Sequence, residues 1–172
     1  MRQISEETIH SVDSFITNLS DEQKDSLAIR IKEKQPHLQG YFYSYIMSHA
    51  TPKEMAVLEV IFIYIIRVYE YEYGELEEIQ SKSIREHDDK FFDYIESEQK
   101  RQSKSTVMRV MRQAAEQKQF ILFLETMVNG TKYSTSPFRE FLIFYINSGI
   151  ISTLIMLNDI VELMNQKSSE DI

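Results

Sequence analysis

The sequence predicts an all-α protein, a single-domain bundle of six or seven helices packed around one central helix. Three observations support this fold class. Only 4 Gly and 3 Pro occur in 172 residues, so long helices are favoured over many turns. Helix start signals, in which Ser or Thr is followed three residues later by Glu or Gln, recur along the chain. One long segment is apolar almost all round, and no stretch shows the alternation of a strand.

The predicted central helix spans about residues 52–73. Its start signal lies in Thr51 to Glu54, where a threonine cap is followed by proline at the first helical position and by the glutamate of a capping box. Residues 55–69 leave almost no polar face, and such a helix requires neighbours on every side. Gly74 is the expected end of the helix. We therefore expect the other helices to surround this one.

Three helices are predicted before the central one. The first spans residues 5–19, is capped by Ser5, and carries one apolar stripe. The second starts at the capping box in residues 20–23 and ends near Lys34, because the residue before Pro36 avoids the helical region. The third runs from Pro36 to His49. The stripe of the first helix consists of Ile9, Val12, Phe15, Ile16 and Leu19.

The order after Gly74 is less regular. Residues 75–87 suggest a weak helix or an ordered loop, and Asp88 or Asp89 is the expected cap of a following helix. The pattern leaves open whether residues 75–105 form one long helix or two. A strong helical pattern covers residues 106–128, and a last helix runs from the Ser136-Pro137 start signal to about Asn165. We expect one helical domain over residues 1–166 and a flexible C-terminal tail over 167–172.

Composition excludes several classes of function. The absence of cysteine excludes disulfides, thiolate zinc sites and cysteine nucleophiles, and it fits a reducing, cytoplasmic location. The net charge of -8 disfavours nucleic-acid binding. The uncharged run from Phe141 to Leu157 is shorter than the roughly 20 residues of a membrane span and includes polar residues, so a membrane-associated protein is a second alternative only.

Few residues point to chemistry. Glu7 and His10 form one Glu-x-x-His pattern, whereas a di-iron bundle needs two such pairs and further glutamates, so no metal and no cofactor are expected. Glu59 is the one acid within the most apolar stretch, and either a base on another helix or Arg67 pairs with it, or its pKa is raised by burial. If the protein is an enzyme or binds a small ligand, Glu59 and His10 are the candidates for an internal polar site.

Two charged segments with many tyrosines nearby suggest a binding surface instead. Tyrosine combines apolar area with a polar tip and is enriched at protein interfaces. The leading hypothesis is a non-catalytic protein that acts through protein–protein interaction and self-associates as a homodimer, the acidic segment around residues 69–78 of one copy meeting a basic segment of the other. The alternatives are that both segments are solvated helix faces or that they pair within one chain. The candidate interaction surface consists of Tyr69, Tyr71, Tyr73, Lys100, Arg101, Lys104, Arg109 and Arg112.

Overall fold

A computed structural model describes residues 3–44, 50–89, 117–128 and 140–170, with the side chains of the last segment described at 146–147 and 149–163. Within these residues the chain forms seven helical stretches and no strand, which confirms the all-α fold class. The stretches are α1 (Glu6–Thr17), α2 (Asp21–Lys34), α3 (Pro36–Ser44), α4 (Pro52–Tyr73), α5 (81–89), α6 (Lys118–Val128) and α7 (Glu140–Glu170).

Helix α4 is the centre of the bundle, as its sequence predicts. It contacts α1, α2, α6 and α7, and the six consecutive residues 61–66 are all buried. The predicted capping box is present, since the Thr51 N–H donates to Glu54 Oε2 at 2.7 Å and the Glu54 N–H donates to Thr51 Oγ1 at 3.3 Å. A helix that is covered on every side can be apolar all round, which explains the composition of this segment.

Helices α1 and α2 start and end close to the predicted positions. Ser5 caps α1, and Ser20 forms a complete capping box with Gln23 at the start of α2. Helix α1 runs antiparallel to α4, because Thr8 donates a hydrogen bond to Glu72 whereas Tyr64 donates to Asp13 at 2.7 Å. The buried stripe of α2 consists of Leu27 and Ile31. The predicted end of the third helix at His49 lies outside the described residues.

Of the predicted weak helix or ordered loop over 75–87, residues 75–80 are non-helical and continue from Gly74 as a connection, whereas residues 81–87 are helical. Gly74 begins the connection with φ of 96°, a conformation in which a side chain would be strained. The buried Gln35 side chain then fixes the segment: its Nε2 donates to the Glu77 carbonyl at 2.8 Å, and its Oε1 accepts from the Ile79 N–H at 3.1 Å. Leu76 and Ile79 are thereby held in the core.

Three predicted boundaries are wrong. Asp88 and Asp89 lie inside α5, which is helical from residue 81, so neither caps its start. Helix α6 begins at Lys118, because Gln117 is non-helical and its carbonyl accepts the first hydrogen bond of α6, so no single helix covers 106–128; residues 106–116 lie outside the described part of the chain. Helix α7 continues to Glu170 instead of ending near Asn165, so residues 167–170 of the expected tail are helical. No Gly or Pro follows Gly149 to stop that helix.

Among the helices of the described segments, none combines the length and the apolar composition that a membrane crossing requires.

Candidate functional site

Tyr69 belongs to the core and not to the predicted surface. The residue has no exposed area, and its hydroxyl donates to Asn158 Oδ1 at 2.6 Å, with the Leu154 carbonyl oxygen 3.2 Å away. Gln117 Nε2 also donates to Asn158 Oδ1, at 3.2 Å. Burial raises the pKa of the Tyr69 hydroxyl well above its ordinary value. The residue therefore joins α4 to α7 as a structural anchor.

The other two predicted tyrosines differ from each other. Tyr73 is half-buried, packs its ring 5.6 Å from that of Tyr69, and accepts a hydrogen bond from Gln117 Nε2 at 3.4 Å. Tyr71 is 59% exposed. Of the three tyrosines, Tyr71 alone presents most of its side chain to solvent in this structure, so it remains a candidate for an interface.

The acidic segment pairs with groups of the same chain. Glu70 accepts from Arg67 at 2.5 Å, and Glu72 accepts from Thr8. Two further acids pair with the α2–α3 region. They are Glu75, which pairs with Lys34, and Glu78, whose Oε1 lies 3.7 Å from His37 Nε2. The hydrogen bond and charge of Lys34 lower the pKa of the Glu75 carboxyl.

The basic half of the predicted surface lies outside the described residues. This applies to Lys100, Arg101, Lys104, Arg109 and Arg112. Four acids of the acidic segment already have partners within the chain. Fewer acidic side chains are therefore left for a contact with basic residues of a second copy than the sequence suggests.

Glu59 and His10 do not form one internal site. Glu59 pairs with Lys32 of α2, and its side chain is 33% exposed, which agrees with a base on another helix as its partner. His10 is exposed on α1. Within the described segments, no three His, Cys, Asp or Glu residues lie close enough together to hold a metal ion. These positions therefore give no geometric support to an enzyme.

A polar cluster, buried at Tyr41 and Ser152, joins α3, α5 and α7. The Tyr41 hydroxyl lies 2.6 Å from Ser152 Oγ and donates to Asp88 Oδ1 at 3.0 Å, and His87 Nδ1 lies 3.2 Å from Asp159 Oδ2. Ser152 has no exposed area, so its hydroxyl does not reach a substrate in solution. The cluster is best explained as a set of polar contacts that fixes α5 against the bundle.

Two large aromatic side chains are exposed along the contact between α1 and α4. Phe15 is 45% exposed and Tyr71 is 59% exposed. Arg67 of α4 lies beside Phe15, with its Cζ 5.5 Å from the centre of the Phe15 ring, in cation–π distance. Arg67 and Tyr71 are one turn apart on α4 and so share a face. We call Phe15, Arg67 and Tyr71 the aromatic strip.

The sequence identifies only part of this strip. Phe15 belongs to the apolar stripe of the first helix, and its neighbour Ile16 is indeed 6% exposed. The apolar stripe is wide enough that its edge emerges from the bundle. Phe15 lies at the edge of the apolar stripe and follows the polar residue Ser14. This position is the sequence signal that could have predicted its exposure.

A groove of about 350 Å³ opens between α1, α2 and α4. Most of its lining is apolar. We call it the lysine-edged groove because one lysine, Lys24, is among its lining residues. The lining consists of Ile16 and Thr17 from α1, Lys24 and Leu27 from α2, and Val60, Ile63 and Tyr64 from α4.

No protein-family model, curated protein or solved structure matches this chain. The aromatic strip and the lysine-edged groove are therefore the features from which a function can be inferred.

Proposed function

We propose that this protein is a non-catalytic interaction protein that self-associates as a homodimer through the aromatic strip. The observation that supports the proposal is the exposure of Phe15 and Tyr71, 45% and 59%, together with Arg67, which contacts Phe15 and is one helical turn from Tyr71. Aromatic residues and arginine are enriched in the centres of protein interfaces, where they contribute most of the binding energy. Burying both rings against a second copy removes a large apolar area from water.

The charges of the strip favour a second copy as its partner. Arg67 is neutralised by Glu70, whose carboxylate accepts its hydrogen bond at 2.5 Å. The chain as a whole carries a net charge of -8, so two copies repel each other over most of their surfaces. A two-fold interface places the same patch of both copies face to face. Because the charges of Arg67 and Glu70 cancel, contact between two aromatic strips adds no repulsion between the copies.

Light scattering across a dilution series tests the proposal. We expect a mass of twice 20.4 kDa at micromolar concentration. Phe15→Glu and Tyr71→Glu should each shift the equilibrium toward monomer, because each places a charge in the interface. Both residues are exposed, and the new carboxylate of Phe15→Glu lies near Arg67, so both variants are expected to fold, which circular dichroism checks.

Leu163→Glu is the matched control. Leu163 is 57% exposed, close to the value of Tyr71, and lies on α7, a helix that contributes no residue to the strip. The control should keep the mass of the parent protein. A parent mass near 20.4 kDa at every concentration would exclude the homodimer. Dissociation by the control but not by the two strip variants would place the interface on another face.

A further inference from the structure

Beyond self-association, we propose that the lysine-edged groove binds an apolar ligand that carries a carboxylate, of the class of medium-chain fatty acids. The alkyl chain lies along the apolar walls of the groove, and the carboxylate pairs with Lys24 at its edge. The proposal depends on three features of the groove: its size, the composition of its walls and the position of its single charge.

The walls and size of the groove suit a short alkyl chain. Leu27 and Ile63 are 5% and 8% exposed and form apolar walls from two different helices. The volume of about 350 Å³ lies near the lower end of the range of ligand sites, roughly 300–1,000 Å³. A ligand of this size removes the remaining exposed apolar area of the groove from water, which is the main source of its affinity.

Lys24 determines the charge of the ligand, because it is the one charged residue among the seven described residues that line the groove. Its Nζ lies 3.9 Å from Asp21 Oδ1, and the Asp21 side chain is fully exposed, so this surface ion pair is weak. A ligand carboxylate can replace Asp21 as the partner of the ammonium group.

The Tyr64 hydroxyl in the lining does not offer a second anion site. It donates its hydrogen bond to Asp13 at 2.7 Å, so the hydroxyl proton is already used. The Asp13 carboxylate also disfavours a negative charge beside Tyr64. The ligand carboxylate is therefore expected at Lys24, with the alkyl chain along the apolar walls.

Calorimetric titration with sodium octanoate, 1-octanol and octylammonium chloride tests the charge preference. We expect octanoate to bind more tightly than octanol, and octylammonium to bind most weakly. Lys24→Gln should weaken octanoate by about fivefold, the size expected for an exposed ion pair, and leave octanol unchanged. Lys82→Gln is the matched control, since Lys82 is an exposed lysine outside the groove.

A second measurement locates the ligand. Octanoate should shift the methyl resonances of Ile16, Leu27 and Ile63 more than those of Ile29, which is exposed outside the groove lining. Val60→Phe, which fills the groove from the half-buried position of Val60, should abolish these shifts while leaving the spectrum folded. Equal binding of octanoate and octylammonium, or unchanged octanoate binding by Lys24→Gln, would overturn the proposal, as would the absence of shifts at the groove methyl groups.

Discussion

At the scale of single residues, Gln35 shows how one buried carboxamide orders a segment that has no regular structure. The residue is 1% exposed and hydrogen-bonds both the Glu77 carbonyl and the Ile79 N–H. We expect Gln35→Ala to lower the free energy of unfolding by about 2–4 kcal/mol, because it leaves buried backbone groups of residues 76–79 without partners.

Urea denaturation measures this change, and hydrogen exchange at the Ile79 amide locates it. Gln39→Ala is the control, since Gln39 makes a weaker contact, 3.4 Å from its Nε2 to the Tyr43 hydroxyl. Equal stability of Gln35→Ala and Gln39→Ala would show that the carboxamide does not order the segment.

Tyr69 offers a second residue-scale prediction. Tyr69→Phe keeps the ring and its packing but removes the hydroxyl that donates to Asn158 Oδ1 at 2.6 Å. Asn158 Oδ1 still accepts from Gln117 at 3.2 Å, so the acceptor keeps one partner. We expect a loss of about 1 kcal/mol in the free energy of unfolding, measured by urea denaturation. A loss above 3 kcal/mol would mean that the hydroxyl supports more than this contact.

Tyr43 gives the protein a predicted sensitivity to alkali. Burial raises its pKa from 10.0 to about 12; a hydrogen bond with Gln39 opposes this rise and the Glu59 charge adds to it. Between pH 10 and pH 12 the unfolded chain loses this proton while the folded chain keeps it, so stability falls as the pH rises.

The measurement is the urea midpoint of the parent protein and of Tyr43→Phe between pH 9 and pH 12. The variant has no proton to lose at this position, so its stability should fall less steeply over the same interval. Parallel curves would show that the pKa of Tyr43 is not raised in the folded state.

At the scale of elements, α4 allows the sharpest test of the fold. Ile61 and Ile65 have no exposed area. Ile61→Asp or Ile65→Asp should lower the free energy of unfolding by several kcal/mol or prevent folding, because each buries an unpaired charge. Ala56→Asp is the control, since Ala56 is exposed near the start of the same helix, where an acid interacts favourably with the helix dipole. A melting temperature of Ile65→Asp close to that of Ala56→Asp would contradict the central position of α4.

The central helix could be predicted because its signals are local. The capping box of Thr51 and Glu54, Pro52 at the first helical position and Gly74 at the end lie within the segment itself. The same applies to the caps of α1 and α2 at Ser5 and Ser20. Such signals depend on neighbours within four residues, so the sequence alone contains them.

The missed features depend on contacts that are distant in the sequence. Gln117 is non-helical where the apolar period continues, and its Oε1 accepts from the Ile4 N–H at 2.8 Å, a contact with the other end of the chain. Residues 74–80 are likewise fixed by Gln35 of an earlier helix junction. The candidate site has the same origin, since the exposure of Phe15 depends on where α1 lies against α4.

At the scale of the whole molecule, the ion pairs of the acidic segment within its own chain leave apolar burial as the main interaction between two copies. Surface ion pairs contribute about 0–1 kcal/mol each, so apolar burial at Phe15 and Tyr71 is expected to dominate the proposed dimer. Glu70 and Glu75 already have cationic partners in their own chain, and Glu78 lies 3.7 Å from His37.

The dissociation constant should therefore not increase with ionic strength, and the double variant Arg109→Glu, Arg112→Glu should keep the dimer. Raising the salt concentration screens exposed charges over a Debye length of about 10 Å at 0.1 M and about 3 Å at 1 M, while it leaves apolar burial intact. Sedimentation equilibrium between 0.05 M and 1 M sodium chloride measures the constant, with Tyr71→Glu as the variant expected to weaken it at every salt concentration. A dimer that dissociates in 1 M salt, or on reversal of Arg109 and Arg112, would instead depend on the charge contact that the sequence first suggests.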